Sequence, residues 1–153
     1  MAEIIPYSEK YKQSIKELNY EWLEKYFSVE PNDVKVLSDP QAEIIDKGGQ
    51  IFYAIENDEI VGTASLLKVS DTVYELGKMA VTEKFQSRKI GNQLLEFCIS
   101  KAKALGAGKL ILYSNTKLSA AINLYKKFGF KEVPLEIEVI YKRSNIKMEL
   151  VLR

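Results

Sequence analysis

The segment Gln86-Ser87-Arg88-Lys89-Ile90-Gly91 combines residue types that suit the binding of an anion. It lies between a predicted strand and a predicted helix, and the first backbone N–H groups of a helix have no partner within it. The helix dipole adds a partial positive charge at that end, which Arg88 and Lys89 would reinforce. Gly91 has no Cβ, so a ligand could come close to the backbone. These features favour a cradle for a pyrophosphate, but a capped helix with a solvated basic first turn would explain the same residues.

The same segment resembles the signature of the GNAT superfamily of N-acetyltransferases. In that signature Gln or Arg, two residues, Gly, one residue, and then Gly or Ala wrap the pyrophosphate of coenzyme A. Gln86 and Gly91 match the outer positions, whereas Lys89 stands where the middle glycine usually lies. A lysine would serve there if the residue keeps an ordinary φ, and its ammonium could add a phosphate contact.

Two further segments resemble the same family, in the correct order and at fitting separations. Tyr74–Val81 is similar to the family's fourth strand, in which a glutamate precedes an apolar triplet. Asn115 and the segment Ala120–Phe130, which ends in Tyr-x-x-x-Gly-Phe, resemble the next strand and helix. The resemblance covers roughly residues 72–130.

The resemblance implies a reaction, a co-substrate and site residues. Acetyl-CoA would donate its acetyl group to a primary amine, with Glu75 as general base and Tyr125 as general acid. Main-chain groups near Ala80 would polarise the thioester oxygen, and those of Met79 and Val81 would bind the pantetheine amides. The implied cofactor-binding residues are Met79, Ala80, Val81, Gln86, Ser87, Arg88, Lys89, Ile90, Gly91, Asn92 and Asn115. No metal is expected.

The residue pattern by itself leaves the roles of these side chains open. Glu75 lies in an apolar strand and faces either solvent or a pocket, where burial would raise its pKa. Tyr125 lies on the apolar stripe of a predicted helix, which is also typical of a core aromatic with its hydroxyl at the surface. Asn115 could simply end its strand.

Alternating strand and helix patterns must position these residues. Apolar residues at helical spacing predict helices from Tyr11 to Tyr26 with Ser8 as N-cap, from Ile90 to Gly106, and from Leu118 to Gly129. A short helix is predicted between Asp39-Pro40 and Gly48-Gly49, and residues 28–39 are predicted to be irregular. The predicted strands are Ala2–Tyr7, Gln50–Glu56, Ile60–Ser70, Val73–Val81, Lys109–Ser114, Lys131–Val133, Glu136–Tyr141 and Ile146–Leu152.

This order predicts an α/β fold built on a mixed sheet of six to seven strands, flanked by about four helices. By resemblance it is the GNAT acyl-CoA N-acyltransferase fold. With no Pro/Gly/Ser-rich linker in the chain, residues 1–153 are predicted to form a single domain.

Composition narrows the functional classes. A formal net charge of +1 gives no broad electrostatic footprint for nucleic acid or an anionic membrane. The chain has no histidine, which excludes histidine-containing triads and removes the commonest zinc ligand. Cys98 is predicted to be a small buried core residue, and a single cysteine favours a reducing compartment. No apolar run approaches the ~20 residues of a membrane span, so we expect a cytoplasmic protein.

The acceptor amine stays open at this level, as either a small molecule or a peptide. Candidate acceptor residues are Trp22, Tyr26, Phe27, the segment 28–39, Tyr141 and Arg143. Glu30, Glu136 and Glu138 could attract a cationic amine or could form a solvated face. A coenzyme A-binding sensor or scaffold without turnover is the alternative to an enzyme, and a generic α/β binding domain would require three ordered matches to be accidental. The oligomeric state also stays open, with a homodimer among the alternatives.

Overall fold

Seven strands form one mixed sheet in the computed structural model, which describes residues 2–152 apart from the side chains of Ser87 and Arg88. The strands are β1 Glu3–Pro6, β2 Gln50–Glu56, β3 Glu59–Lys68, β4 Val73–Val81, β5 Lys109–Ser114, β6 Lys131–Val133 and β7 Ile146–Val151. Their order across the sheet is β1-β2-β3-β4-β5-β7-β6. β4 and β5 run parallel, and the other neighbouring pairs run antiparallel. The predicted mixed sheet is confirmed.

Four α-helices lie among the described residues. They are α1 Lys12–Tyr26, α2 Pro31–Ser38, α3 Ile90–Ala104 and α4 Ser119–Lys127. Short 3-10 segments, Glu9–Tyr11 and Glu83–Arg88, precede α1 and α3, and a π-helical turn, Gln41–Ile45, leads towards β2. Within residues 2–152, no helix is long and apolar enough to cross a membrane.

Local sequence signals explain where several elements turn or end. Asn57 and Asp58 have φ values of 52° and 61°, which a tight hairpin turn between β2 and β3 requires. Gly106 and Gly129 have φ values of 83° and 100° and follow the ends of α3 and α4. This left-handed conformation is the usual helix C-terminal signal.

Alternation along the central strands places one hydrophobic core on each face of the sheet. On β2, Ile51 and Tyr53 pack with residues of α1 and α2, whereas Phe52 packs with residues of α3 and α4. Cys98 of α3 is buried in this second core, as predicted, and burial raises the pKa of its thiol to about 12. The thiol is therefore a packing group rather than a nucleophile.

The prediction of an irregular segment at 28–39 is wrong, because part of it forms α2. The Glu30 side chain accepts from the backbone at Asp33, and the backbone N–H of Glu30 donates to the Asp33 carboxylate at 2.9 Å. This reciprocal capping box, with Pro31 at the first helical position, starts the helix.

The predicted strand Glu136–Tyr141 is also wrong, because residues 134–145, all of them described, contain no strand. Hydrogen bonds from side chains, not strand pairing, hold this segment in place. Asn32 of α2 donates to the Tyr141 hydroxyl at 2.7 Å, and the Glu30 carboxylate accepts from the backbone N–H of Lys142 at 2.9 Å. The segment is therefore fastened to the start of α2.

The two central strands separate partway along the sheet. β4 pairs with β5 only from Val73 to Glu75, although it continues to pair with β3 as far as Val81. A β-bulge accompanies the separation, since Lys78 and Met79 lie opposite the single β3 residue Ala64. Beyond Glu75, one edge of β4 faces a gap in the sheet.

Candidate active site

A cleft of about 750 Å³ occupies the gap between β4 and β5. Its walls are residues 75–81 of β4, the carboxyl end of β5, the first turn of α3 and one side of α4. The end of α1, the start of α2 and the segment before β7 close its other end. The cleft therefore extends from the first turn of α3 to the segments at 26–33 and 140–144.

A residue of α1 holds the bulge in β4. Lys78 adopts a left-handed φ of 50°, and its carbonyl accepts a hydrogen bond of 3.2 Å from the buried side chain of Asn19. The Asn19 amide also donates to the Ile15 carbonyl, and its oxygen accepts from the indole of Trp22. The bond to Lys78 thus fixes α1 to the bulge, and the two bonds within α1 hold the Asn19 side chain in place.

The first turn of α3 is open to a ligand. Lys89 precedes the helix without a side-chain cap, and the first turn contains no acidic residue. The N–H groups of this turn and the positive end of the helix dipole are therefore free to act on an anion. A Cβ built on Gly91 would lie 3.5 Å from Leu124 and 3.7 Å from Met79, so glycine keeps this part of the cleft clear.

Lys89 does not keep the ordinary φ on which we expected a lysine to depend. Its φ and ψ of 60° and 24° are left-handed, as for a glycine. A lysine in this conformation carries a conformational cost of about 1 kcal/mol.

The remaining predicted loop residues divide into three groups. Gln86 and Asn92 line the cleft, and the Gln86 amide donates to the Val81 carbonyl at 3.1 Å. Ile90 is fully buried in the core, so only its backbone is available to a ligand. The side chains of Ser87 and Arg88 lie outside the described part of the chain.

Glu75 lies at the point where the strands separate, and its side chain lines the cleft. Burial raises the pKa of its carboxyl to about 7, against the lowering effect of the Lys78 and Lys147 ammonium groups. Glu136 contributes a smaller upward effect. A carboxyl with this pKa can take up and release a proton near neutral pH.

Tyr125 lies on the α4 wall of the same cleft. Its ring packs against Phe130 with a centroid distance of 5.9 Å, and burial raises the pKa of its hydroxyl to about 12. Among the side chains that the structure describes, none hydrogen-bonds this hydroxyl. Tyr125 is therefore protonated at neutral pH and can donate a proton.

Asn115 lines the cleft at the end of β5, and backbone groups already engage its side chain. Its amide donates to the Arg143 carbonyl at 2.7 Å, and its oxygen accepts from the Lys117 backbone N–H at 2.8 Å. The side chain thus positions the segment before β7, and its second amide hydrogen has no acceptor among the residues that the structure describes. Met79, Ala80 and Val81 line the cleft as part of the unpaired edge of β4.

A buried ion cluster forms one wall at the far end of the cleft. Asp33 is fully buried and accepts from the Lys78 ammonium at 3.0 Å and from both terminal nitrogens of Arg143 at 2.7 and 2.8 Å. Burial acts to raise the pKa of Asp33, but the Arg143 and Lys78 partners hold it below its usual value. Glu30 also accepts from Arg143, at 3.3 Å. The cluster joins α2, β4 and the segment before β7.

Sequence reasoning identified some of the residues at this end and missed others. Trp22, Tyr26, Phe27, Tyr141 and Arg143 line the cleft as expected. The two other acidic candidates face elsewhere: the Glu136 carboxylate accepts from Tyr113 and Lys147, and Glu138 is exposed.

Asn19 and Lys78 were missed, and Asp33 was included only as part of the candidate segment 28–39. A polar residue on the apolar stripe of α1 was the available signal for Asn19, and a lysine inside an apolar strand was the signal for Lys78. Asp33 lay in the segment that was predicted to be irregular.

Comparison with known proteins relates this architecture to one family. The model of the Acetyltransferase (GNAT) family matches residues 14–130. The N-acetyltransferase YvbK of Bacillus subtilis is 33% identical over 102 residues, a match that covers 65% of this chain and 66% of that protein. The match thus spans just under two thirds of this relative's length.

Two solved structures share the fold over essentially the whole chain. An acetyltransferase of the GNAT family from Staphylococcus aureus Mu50 has a TM-score of 0.89 and 25% identity, with 100% of both chains covered. The yncA acetyltransferase of Salmonella typhimurium, solved with its cofactor acetyl-CoA, has a TM-score of 0.78 and 21% identity. That comparison covers 100% of this chain and 95% of the other.

The substitution Glu75→Gln should stabilise the protein at alkaline pH. Between pH 4.5 and about 7 the unfolded chain ionises this carboxyl while the folded protein keeps it protonated, so the wild type loses stability as pH rises. The advantage of the variant should grow by about 2 to 3 kcal/mol between pH 5 and pH 8. Urea unfolding at both pH values measures it, and an advantage that is the same at both would contradict the burial of Glu75.

The substitution Lys89→Gly should also stabilise the protein, by about 0.5 to 1 kcal/mol, because glycine adopts the left-handed conformation without steric cost. Lys89→Ala is the matched control, since it removes the ammonium but keeps the Cβ. Urea unfolding of both variants provides the comparison. A glycine variant no more stable than the alanine variant would show that Lys89 carries no backbone strain.

Proposed function

This chain belongs to the Acetyltransferase (GNAT) family, and on that premise we propose that it is an N-acetyltransferase that uses acetyl-CoA to acetylate a primary amine. The observation that carries the proposal is the placement of two open backbone surfaces in one cleft. The unpaired edge of β4 lies along it, and the uncapped start of α3 lies on its wall. We further propose that residues 1–153 form one catalytic domain, since all seven strands of the described chain belong to a single sheet.

The residues of the cleft fit acetyl-CoA. The first turn of α3, from Ile90 to Asn92, offers unpaired N–H groups and the positive end of a helix dipole to the pyrophosphate. The space in front of Gly91 leaves the backbone accessible there. Main-chain groups of Met79 and Val81, without a β5 partner, hydrogen-bond the amides of the pantetheine arm as an added strand would.

When bound, acetyl-CoA supplies an acetyl group activated as a thioester. The main-chain N–H near Ala80 polarises the thioester oxygen, as an oxyanion hole does. The bulge at Lys78, fixed by Asn19, holds this part of the strand in place.

Glu75 removes a proton from the acceptor. An alkyl ammonium has an ordinary pKa near ~10.4 and must lose a proton before its nitrogen can attack a carbonyl. Glu75 has its pKa raised to about 7 by burial, so the ionised carboxylate present above neutral pH is more basic than an ordinary glutamate. It takes that proton directly or through a water molecule.

Tyr125 supplies a proton to the leaving sulfur. Burial holds its pKa near 12, so the hydroxyl stays protonated until the thiolate forms. The hydroxyl has no competing partner among the side chains that the structure describes, which leaves its proton available for the cleft.

Two measurements test the proposal in sequence. Calorimetry with acetyl-CoA should show saturable binding, and no heat at millimolar ligand would reject the assignment of the cleft. A free-thiol release assay over a panel of primary amines should then show turnover. Binding without turnover of any amine would favour a coenzyme A sensor or scaffold.

Turnover should follow the ionisation of Glu75. With a saturating amine, kcat should rise with pH along a limb with its midpoint near 7, because only the carboxylate accepts a proton. Glu75→Gln should lower kcat by about 10²- to 10⁴-fold and remove that limb. The control Glu96→Gln changes an exposed residue of α3 and should leave the profile unaltered. A limb near 7 that persists in the Glu75 variant would exclude this residue as the base.

Gly91→Ala should weaken acetyl-CoA binding without harming the fold. The added methyl group meets Leu124 and Met79 at ordinary contact distances, and alanine favours a helix by about 0.5 to 1 kcal/mol. The same methyl group occupies ligand space in front of the first turn. We expect at least a tenfold loss of affinity in calorimetry, with thermal stability equal or higher.

Ser100→Ala, on the exposed side of α3, is the matched control for helix propensity. It should change neither affinity nor turnover. Unaltered affinity in Gly91→Ala would place the pyrophosphate elsewhere.

A further inference from the structure

Hydrogen bonding at the far end of the cleft is unbalanced between donors and acceptors. The Tyr141 hydroxyl receives two hydrogen bonds, from the Lys78 ammonium at 2.6 Å and from the Asn32 amide at 2.7 Å. Its own hydrogen has no acceptor among the described residues. The Lys78 ammonium carries three hydrogens and donates two of them, to Asp33 and to Tyr141. Two donors are therefore left over side by side.

The carboxylates of the same cluster have no comparable spare capacity. Asp33 accepts from Lys78, twice from Arg143, and once from the backbone N–H of Glu30. Glu30 accepts from the backbone N–H groups of Lys142 and Arg143 and from the Arg143 guanidinium. The two remaining groups, the Tyr141 hydroxyl and one N–H of Lys78, are donors, so a ligand that binds them must offer an oxygen acceptor. A carboxylate can accept from two adjacent donors at once.

These donors lie close to the proposed base. Lys78 is three residues beyond Glu75 on β4, both line the cleft, and the Lys78 charge acts on the Glu75 carboxyl. The Tyr141 ring lies against Lys78 and Arg143, with 4.3 and 4.2 Å from its centroid to the two cationic groups. A ligand whose amine reaches Glu75 therefore has a donor pair within the same end of the cleft.

Hydrogen bonds between two segments at this end of the cleft disfavour the entry of a polypeptide. Six hydrogen bonds join residues 30–33, at the start of α2, to residues 141–143. A protein segment would have to part these two elements, which two largely buried ion pairs of Arg143, with Glu30 and with Asp33, hold together. A small molecule has no such requirement.

We propose that the acceptor is a small primary amine that also carries a carboxylate, and that Tyr141 and Lys78 bind this carboxylate while the amine faces Glu75. The inference rests on the acetyltransferase function proposed above and names its substrate class. Tyr141 is thus a specificity-determining residue. The ion pair of Lys78 with Asp33 keeps the ammonium in position to share the task.

A comparison of amino acids with their own primary amides tests the proposal. Glycine, 3-aminopropanoate and 4-aminobutanoate are each paired with the corresponding amide in the thiol-release assay, and a short peptide with a free N-terminus is included. Each amide keeps the size of its partner but loses the negative charge. We expect the best carboxylate to have a KM at least about tenfold below that of its amide.

The substitution Tyr141→Phe tests whether the Tyr141 hydroxyl causes the preference for carboxylates over amides. It keeps the ring against Lys78 and Arg143 and removes only the hydroxyl, so we expect the KM for the carboxylate to rise about tenfold. The KM for the amide should rise less than that for the carboxylate, because the neutral amide oxygen accepts a weaker hydrogen bond, and kcat and the affinity for acetyl-CoA should stay within about twofold. Tyr7→Phe is the control, because its hydroxyl donates to Glu9 on the surface, away from the cleft. Thermal unfolding checks that both variants are folded.

The proposal is overturned if amides or the peptide are the better acceptors, or if Tyr141→Phe affects carboxylate and amide equally. If acetyl-CoA binds but no amine of the panel is acetylated, calorimetry of each pair against the coenzyme A-bound protein decides instead. Tighter binding of the carboxylate then supports the subsite, and equal or absent binding rejects it. Failure to bind acetyl-CoA is a separate result that rejects the proposed function. In that case, calorimetry of the carboxylate and amide pairs against the free protein still tests the carboxylate subsite.

Discussion

The separation of β4 from β5 after Glu75 is the constraint on which the rest of the site depends. Parallel strands normally satisfy each other's backbone groups, so an edge opened within a sheet needs something to hold it apart. Here a bulge at Lys78 bends β4, and the buried Asn19 side chain binds the carbonyl of the bulge. The opening leaves a cleft whose β4 edge is backbone and whose far end is polar. The same break therefore creates the proposed donor site and the proposed acceptor site.

Function and stability oppose each other at two places in this cleft. Burial raises the pKa of Glu75 to about 7, which suits a base but disfavours the charged carboxylate in the folded protein. Lys89 keeps a left-handed backbone at a conformational cost that glycine would avoid. The ion cluster at the acceptor end has no such unpaired charge. Asp33 accepts four hydrogen bonds there and compensates the charges of two buried cations. Glu75 and Lys89, where these two costs arise, both line the cleft.

Local sequence patterns were sufficient to predict most of the fold. Val73–Val81 and Lys109–Ser114 were predicted with their bounds, since a buried strand between turn signals is a short-range pattern. α2 was missed because its capping box uses Glu30 and Asp33 instead of the usual Ser or Thr with Glu. The site needed long-range information: the contacts of Lys78 with Asp33 and Tyr141 span 45 and 63 residues, so no local pattern reports them. The left-handed φ of Lys89 was likewise invisible, because it contradicts the intrinsic preference of lysine.

Hydrogen exchange of backbone amides with and without acetyl-CoA tests the central claim most directly, since the claim concerns open backbone groups at two places. The account predicts that acetyl-CoA slows exchange in residues 77–81 of β4 and in residues 90–92 of α3, while the β1–β2 edge of the sheet keeps its rates. Slowed exchange at other places with these two segments unaffected would contradict the assignment of the cleft to the cofactor.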